Sequence, residues 1–247
     1  MRTLNFSEGE VLCFDKPIGW TSFRLVGRVR YVLCRKLGVR RLKVGHAGTL
    51  DPLATGVMMV CTGRATKCID QLQGHTKEYV ADLRLGATTP SFDLEHPIDA
   101  TFPTEHITPA MVADTLAGFV GQIEQVPPAF SACMVNGHRA YDLARKGRQV
   151  DLKPKPITID AIELLECRLP DIRIRVVCSK GTYIRALARD IGQALHSGAH
   201  LTALRRTRVG NVAVDQCIDP QHFAEWLDQQ DVVVPEKTPT DNQRLTK

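Results

Sequence analysis

The sequence predicts an α+β protein built on a mainly antiparallel sheet. Strand-like runs far outnumber the strand–helix–strand units that a parallel sheet needs. Lys77–Leu85 alternates, with Tyr79, Ala81, Leu83 and Leu85 on one face and Glu78, Asp82 and Arg84 among those opposite. Two further strand-like runs, 158–169 and 172–179, are joined tightly at Pro170-Asp171.

The other elements follow in chain order. VLCF at 11–14 reads as a short buried strand ending at Asp15-Lys16-Pro17. A helix over 21–37 comes next, capped by Thr21 or Ser22 and stopped by Gly38. Phe23, Val26, Val29, Leu33 and Leu37 form its apolar stripe, and the opposite face is rich in arginine. The stretch 45–55 is dense in Gly, Thr, Asp and Pro and reads as loop. GVMMVCTG at 56–63 reads as a buried strand, and 65–72 as a short helix. Thr108-Pro109 opens a helix that Gly118 or Gly121 closes. Strand and loop are expected over 122–137, and a short helix over 138–146 ended by Gly147. Beyond the paired runs, 182–195 is helical, and 201–206 pairs with 209–214 across Arg208. A short helix over 220–230 and a disordered end over 235–247 complete the chain.

A chain of 247 residues can bury one large core, alone or with a small appendage. Its 43% hydrophobic and 24% charged residues are ordinary globular values. No apolar run approaches the roughly 20 residues of a membrane helix, and the start lacks a secretory pattern. A cytoplasmic protein without membrane partners is therefore expected. The eight cysteines are scattered without a CxxC pair, which argues against a metal site and for small core hydrophobes in a reducing compartment. The net charge of +5 is unevenly spread. No acidic residue stands between Asp15 and Asp51, an interval holding Arg24, Arg28, Arg30, Arg35, Lys36, Arg40, Arg41 and Lys43. A second basic run spans Arg139 to Lys155, and a third Lys180 to Arg208 with Asp190 its only acid. Such stretches fit a polyanionic partner, or simply solvated faces; composition leaves both open.

The densest chemical signal is GHAGTLDPLATG at 45–56, in which three glycines frame one carboxylate, Asp51. By itself this could be a functional loop or a structural turn. With Val57 added, it resembles the signature loop of TruB-type pseudouridine synthases. Further segments resemble the same family in the same order. They are DKPIGWTS at 15–22, Lys77-Glu78-Tyr79, QVPPAFSA at 125–132, VNGHRAY at 135–141, SKGTYIR at 179–185, and GAH at 198–200 through Leu204-Arg205-Arg206. Together they cover roughly residues 11 to 210.

The resemblance implies the pseudouridine-synthase fold and an isomerase that needs no cofactor or metal. Its reaction breaks the uracil N1–ribose C1′ bond, turns the base and rejoins it through C5. Asp51 is implied as the nucleophile; a carboxyl that ionises at about pH 4 needs no activating base. Arg185 is implied as the ion-pair partner of Asp51. Tyr79, 28 residues after Asp51, would stack on the extruded uracil, and Tyr183 would lie beside it with a hydroxyl able to relay a proton. Leu204 matches the family's apolar contact to the base. His46 matches the loop histidine that fills the space left by the flipped nucleotide. Lys16 would contact the loop or a phosphate. The implied substrate is tRNA, bound through its T stem-loop at the uridine of position 55, by a monomeric enzyme.

Ala47 and Phe130 depart from the family, whose members often carry threonine and tyrosine there. Many members also continue into a small RNA-binding domain, the PUA domain, for which the 37 residues after Gly210 are too few. The expected organisation is therefore a catalytic domain over 1–212 and a short extension over 213–247. An RNA-binding protein that uses the fold without catalysis is the main rival, and the joint presence of Asp51, Tyr79, Tyr183 and Arg185 argues against it. A guide-RNA-dependent synthase and a metallohydrolase fit less well.

Overall fold

A computed structural model describes residues 3–131, 133–135, 137–147 and 151–235. In chain order its elements are β1 (Val11–Lys16), α1 (Ser22–Leu37), β2 (Val44–Ala47), β3 (Ala54–Thr62), a 3-10 turn (Gly63–Cys68), α2 (Ile69–Gln73), β4 (Lys77–Leu85), β5 (Ala87–Thr88) and β6 (Ala100–Thr101). There follow α3 (Pro109–Ala117), β7 (Gly121–Gln125), β8 (Met134–Val135), β9 (His138–Arg139), α4 (Ala140–Arg145), β10 (Lys155–Arg168) and β11 (Asp171–Cys178). The last are α5 (Ile184–Ala194), β12 (Ala199–Val209), β13 (Val212–Ala213), a 3-10 turn (Val214–Gln216) and α6 (Phe223–Asp228). The expected mixed, mainly antiparallel sheet with flanking helices is present. Among the described residues no helix is long and apolar enough to cross a membrane.

The chain divides into two compact units. The first comprises Met1–Pro52, Val57–Gln73 and Asp215–Lys247. Its core joins Phe6, Phe14, Leu25, Val29, Leu33, Met58, Val60 and Phe223. Phe14 and Phe223 meet edge to face, with centroids 5.1 Å apart. Helix α1 starts because Thr21 is extended and its hydroxyl accepts from the Arg24 amide at 3.0 Å. It stops because Gly38 takes the left-handed conformation, φ 66°. The buried face is Ser22, Leu25, Val26, Val29, Val32, Leu33 and Leu37. Phe23, expected on that face, is 78% exposed. Polar Ser22 turns inward instead because a backbone partner waits there, as described below.

The second unit comprises Leu53–Gly56 and Gly74–Val214. Strands β12, β4, β11, β10 and β7 lie side by side in that order, all antiparallel. The first residues of β3 run parallel to β12, pairing Leu204 with Ala54 and Arg206 with Gly56. A Cβ at Gly56, whose φ is 105°, would fall 2.1 Å from the Arg206 carbonyl oxygen. Only glycine lets the two backbones come this close. One face of the sheet buries Ala81, Leu83, Ile159, Ile174 and Val176, together with Leu187 and Ile191 of α5. Ion pairs cross the strands elsewhere: Arg173 with Asp82 at 2.6 Å, Arg175 with Glu78 at 3.0 Å, and Arg84 with Asp171 at 2.8 Å.

Three further expectations change. Residues 44–47, read largely as loop, form β2, because β3 offers a ladder from Val44↔Thr62 to Ala47↔Met59 that composition does not reveal. The turn placed at Arg208 lies later: β12 runs unbroken to Val209, and β13 pairs back through Val209↔Val212. The helix expected over 138–146 begins at Ala140, because His138 and Arg139 pair with Val135 and Met134. The expectations on Ala132, Asn136, Arg148 and 236–247 lie outside the described residues.

Candidate active site

Within the first unit, DKPIGWTS and the Asp51 loop are tied together by backbone chemistry. Ser22 Oγ accepts from the Leu50 amide and donates to the Leu50 carbonyl, both at 3.0 Å. On the other side of Asp51, the Pro52 carbonyl accepts from the Gly19 amide at 2.8 Å. It also accepts from Lys16 Nζ at 3.4 Å. Lys16 is fully buried, and Nζ donates further to the carbonyls of Trp20 at 2.7 Å and Pro17 at 3.0 Å. The residues before and after Asp51 are thus both pinned, and Asp51 itself is half-buried. Through Pro52, Lys16 thus reaches the loop, one of the two contacts expected of it. His46 sits on β2 opposite Val60, half-buried, on a strand and not in the loop expected for it.

The second unit holds Tyr79, Tyr183, Arg185 and Leu204. Tyr79 is buried on β4 between Arg206 of β12 and Val176 of β11. Leu204, half-buried, pairs with Ala81 two residues further along β4. Tyr183 precedes α5 in extended conformation. The Gln125 side chain brackets its backbone, accepting from the Tyr183 amide at 2.9 Å and donating to its carbonyl at 3.2 Å. The Tyr183 hydroxyl shares a hydrogen bond with Cys133 Sγ at 3.3 Å. Burial, then that thiol, raises the phenol above its ordinary value, so at neutral pH it keeps its proton. Arg185 is 5% exposed. Its guanidinium donates to the carbonyls of Ser91 at 3.1 Å and Phe130 at 2.8 Å and lies 3.7 Å from the Asp93 carboxylate. A buried arginine with so many fixed partners has a fixed direction.

Sequence reasoning gave no role to Gln125, Cys133 or Gly19, and considered Ser22 only as a helix cap. Gln125, Gly19 and Ser22 all lie in the motif runs quoted above, which was the available signal. Cys133 had none.

Lys77, two residues before Tyr79, is 7% exposed and donates to the His75 carbonyl. Burial, then the charge of Arg206, pushes its ammonium down to about 8 from 10.5. Between those values the unfolded chain holds the extra proton, so this group makes stability rise with pH over that window. Lys77→Met is expected to remove that rise relative to the natural chain, read from urea unfolding at pH 7.5, 9 and 10. Parallel curves for the two proteins would contradict it.

Comparison with known proteins places these features in a family. Residues 35–184 match the TruB family pseudouridylate synthase N-terminal domain, and residues 185–237 the tRNA pseudouridylate synthase B C-terminal domain. The chain is 71% identical over 231 residues to tRNA pseudouridine synthase B of Bacteroides fragilis, covering 94% of this chain and 99% of that one. It is 47% identical over 219 residues to the protein of that name from Mycobacterium bovis, covering 87% and 72%. Among solved structures, a chain of a Cbf5-Nop10-Gar1 complex superposes with a TM-score of 0.68 at 30% identity. That match covers 90% of this chain and 55% of the other, so this chain spans about half the length of that neighbour.

Proposed function

The chain belongs to the TruB family of pseudouridylate synthases, and from that membership we propose that it isomerises the T-loop uridine at tRNA position 55. Its activity is that of a tRNA pseudouridine synthase, an isomerase. The observation that carries the reading is the pinned loop: a single carboxylate is held by backbone bonds on both sides, as a nucleophile aimed at one carbon must be.

In the proposed reaction Asp51 attacks ribose C1′ or shields it as the bond to N1 breaks and the electron pair goes to uracil N1. The base turns, C5 bonds to C1′ and displaces the Asp51 carboxylate where it had attached, the C5 proton leaves, and N1 is protonated. Atoms balance within substrate and solvent, which makes the step an isomerisation. Tyr79 supplies a stacking face for the extruded base, worth about 1–3 kcal/mol. The protonated Tyr183 hydroxyl serves the proton relay, and Arg185 balances the charge of the reacting carboxylate. Leu204 and His46 contact the flipped nucleotide and the gap it leaves. Lys16 acts on the substrate only through the loop it braces.

The test is incubation with unmodified tRNA and with an isolated T stem-loop, then mapping of pseudouridine by chemical derivatisation. Product at the T-loop uridine in both RNAs is expected. Product confined to another uridine would overturn the site, and binding without product would favour the non-catalytic rival.

A further inference from the structure

One glycine in α1 serves neither the backbone nor the packing of the fold. Gly27 lies inside the helix with ordinary helical φ, so no left-handed turn requires it. A Cβ built on it would meet nothing within 4 Å, so no neighbour requires it either. Glycine inside a helix is costly relative to alanine. What remains is close approach from outside the chain.

Its surroundings say by what. Arg24, Gly27, Tyr31 and Arg35 follow one another at spacings of three and four, which puts them in one line along the helix, and Trp20 lies just before its start. The Arg24 guanidinium lies 4.5 Å over the Trp20 ring. The Arg35 guanidinium lies 5.7 Å over Tyr31 and donates to its hydroxyl at 3.1 Å. Gly27 is the low point between these two stacks, flanked by Phe23 and Arg28. Phe23 is 78% exposed and Tyr31 54%. The helix carries no acidic residue, and none occurs anywhere between Asp15 and Asp51. Among the described residues, Asp228 pairs with Lys36 of α1 at 2.7 Å. Arginines held against rings beside bare backbone suit a sugar-phosphate strand, whose phosphates take arginine donors while its riboses lie on the rings.

We propose that this face of α1 is a contact for the sugar-phosphate backbone of the tRNA substrate, apart from the reacting uridine, with Gly27 as the point of closest approach. The proposal rests on the reading of the chain as an enzyme acting on tRNA.

Three variants test it: Gly27→Ala, Gly27→Leu, and the double Arg24→Ala/Arg35→Ala. Each is measured for melting temperature, affinity for unmodified tRNA across a salt series, and single-turnover rate at saturating RNA. Gly27→Ala is expected to melt about 2–4 °C higher, which shows that the fold tolerates a side chain there. Gly27→Leu is expected to bind about tenfold more weakly without melting lower. The double variant is expected to lose affinity and to flatten the slope of log affinity against log salt by roughly 1.5, since two phosphate contacts are gone. Single-turnover rates at saturation should match the natural chain, because no substituted residue belongs to the catalytic set. Natural affinity in both Gly27→Leu and the double variant would overturn the proposal. Failure of the natural chain to modify tRNA would instead count against the proposed function, whatever the affinities.

Discussion

Asp51→Asn is expected to lower tRNA turnover below about a thousandth of the natural rate, because an amide cannot serve as an anionic nucleophile. Binding should survive. The bonds that hold this stretch run from Ser22 to Leu50 and from Gly19 and Lys16 to Pro52, and most of them end on backbone atoms that the substitution leaves in place. Affinity for tRNA should therefore change by less than about tenfold, or roughly 1.4 kcal/mol. Single-turnover kinetics with a filter-binding titration separates the two quantities. Residual turnover at a tenth of the natural rate would sink the nucleophile assignment. Loss of binding along with turnover would mean that the loop had collapsed.

Lys16→Met is expected to give the largest loss of stability among single changes near the site. The side chain is fully buried and its ammonium reaches three carbonyls, those of Pro17, Trp20 and Pro52. Methionine fills a similar volume but donates nothing. Pro52 keeps the Gly19 amide, but the carbonyls of Pro17 and Trp20 lose this donor at about 1–3 kcal/mol each, so a loss of about 2 kcal/mol or more is the expectation. Urea unfolding measures it directly, through a lower midpoint at unchanged slope. A shift below about 1 kcal/mol would show that water or other donors replace the ammonium without penalty. Lys16→Arg should fall between, since it keeps the charge but not the shape.

Much of the fold could be read from residue order because its signals are local. The alternation of Lys77–Leu85 survives intact as β4, and Thr108-Pro109 caps α3 as its order requires. What escaped depends on partners distant in sequence. Val44–Ala47 is a strand only because β3 lies alongside. Ser22 displaces Phe23 from the buried face because Leu50 offers it two backbone groups, which an apolar stripe cannot register. Asp51, Tyr79, Tyr183 and Arg185 are singled out by motif order, not by any physical property of the single residues. Gln125 and Cys133 acquire meaning only once Tyr183 stands beside them.

The reciprocal pair of Ser22 with Leu50 joins two events that a chain would otherwise undergo separately. Ser22 opens α1, next to the capping Thr21, and the same residue clasps the strand of chain leading into Asp51. Winding the first turn of the helix and closing the loop are therefore a single cooperative act, and neither opens alone without breaking the other's bonds. The Leu50 amide should accordingly exchange its hydrogen on the timescale of the helix beneath it, not on that of an exposed glycine-rich loop.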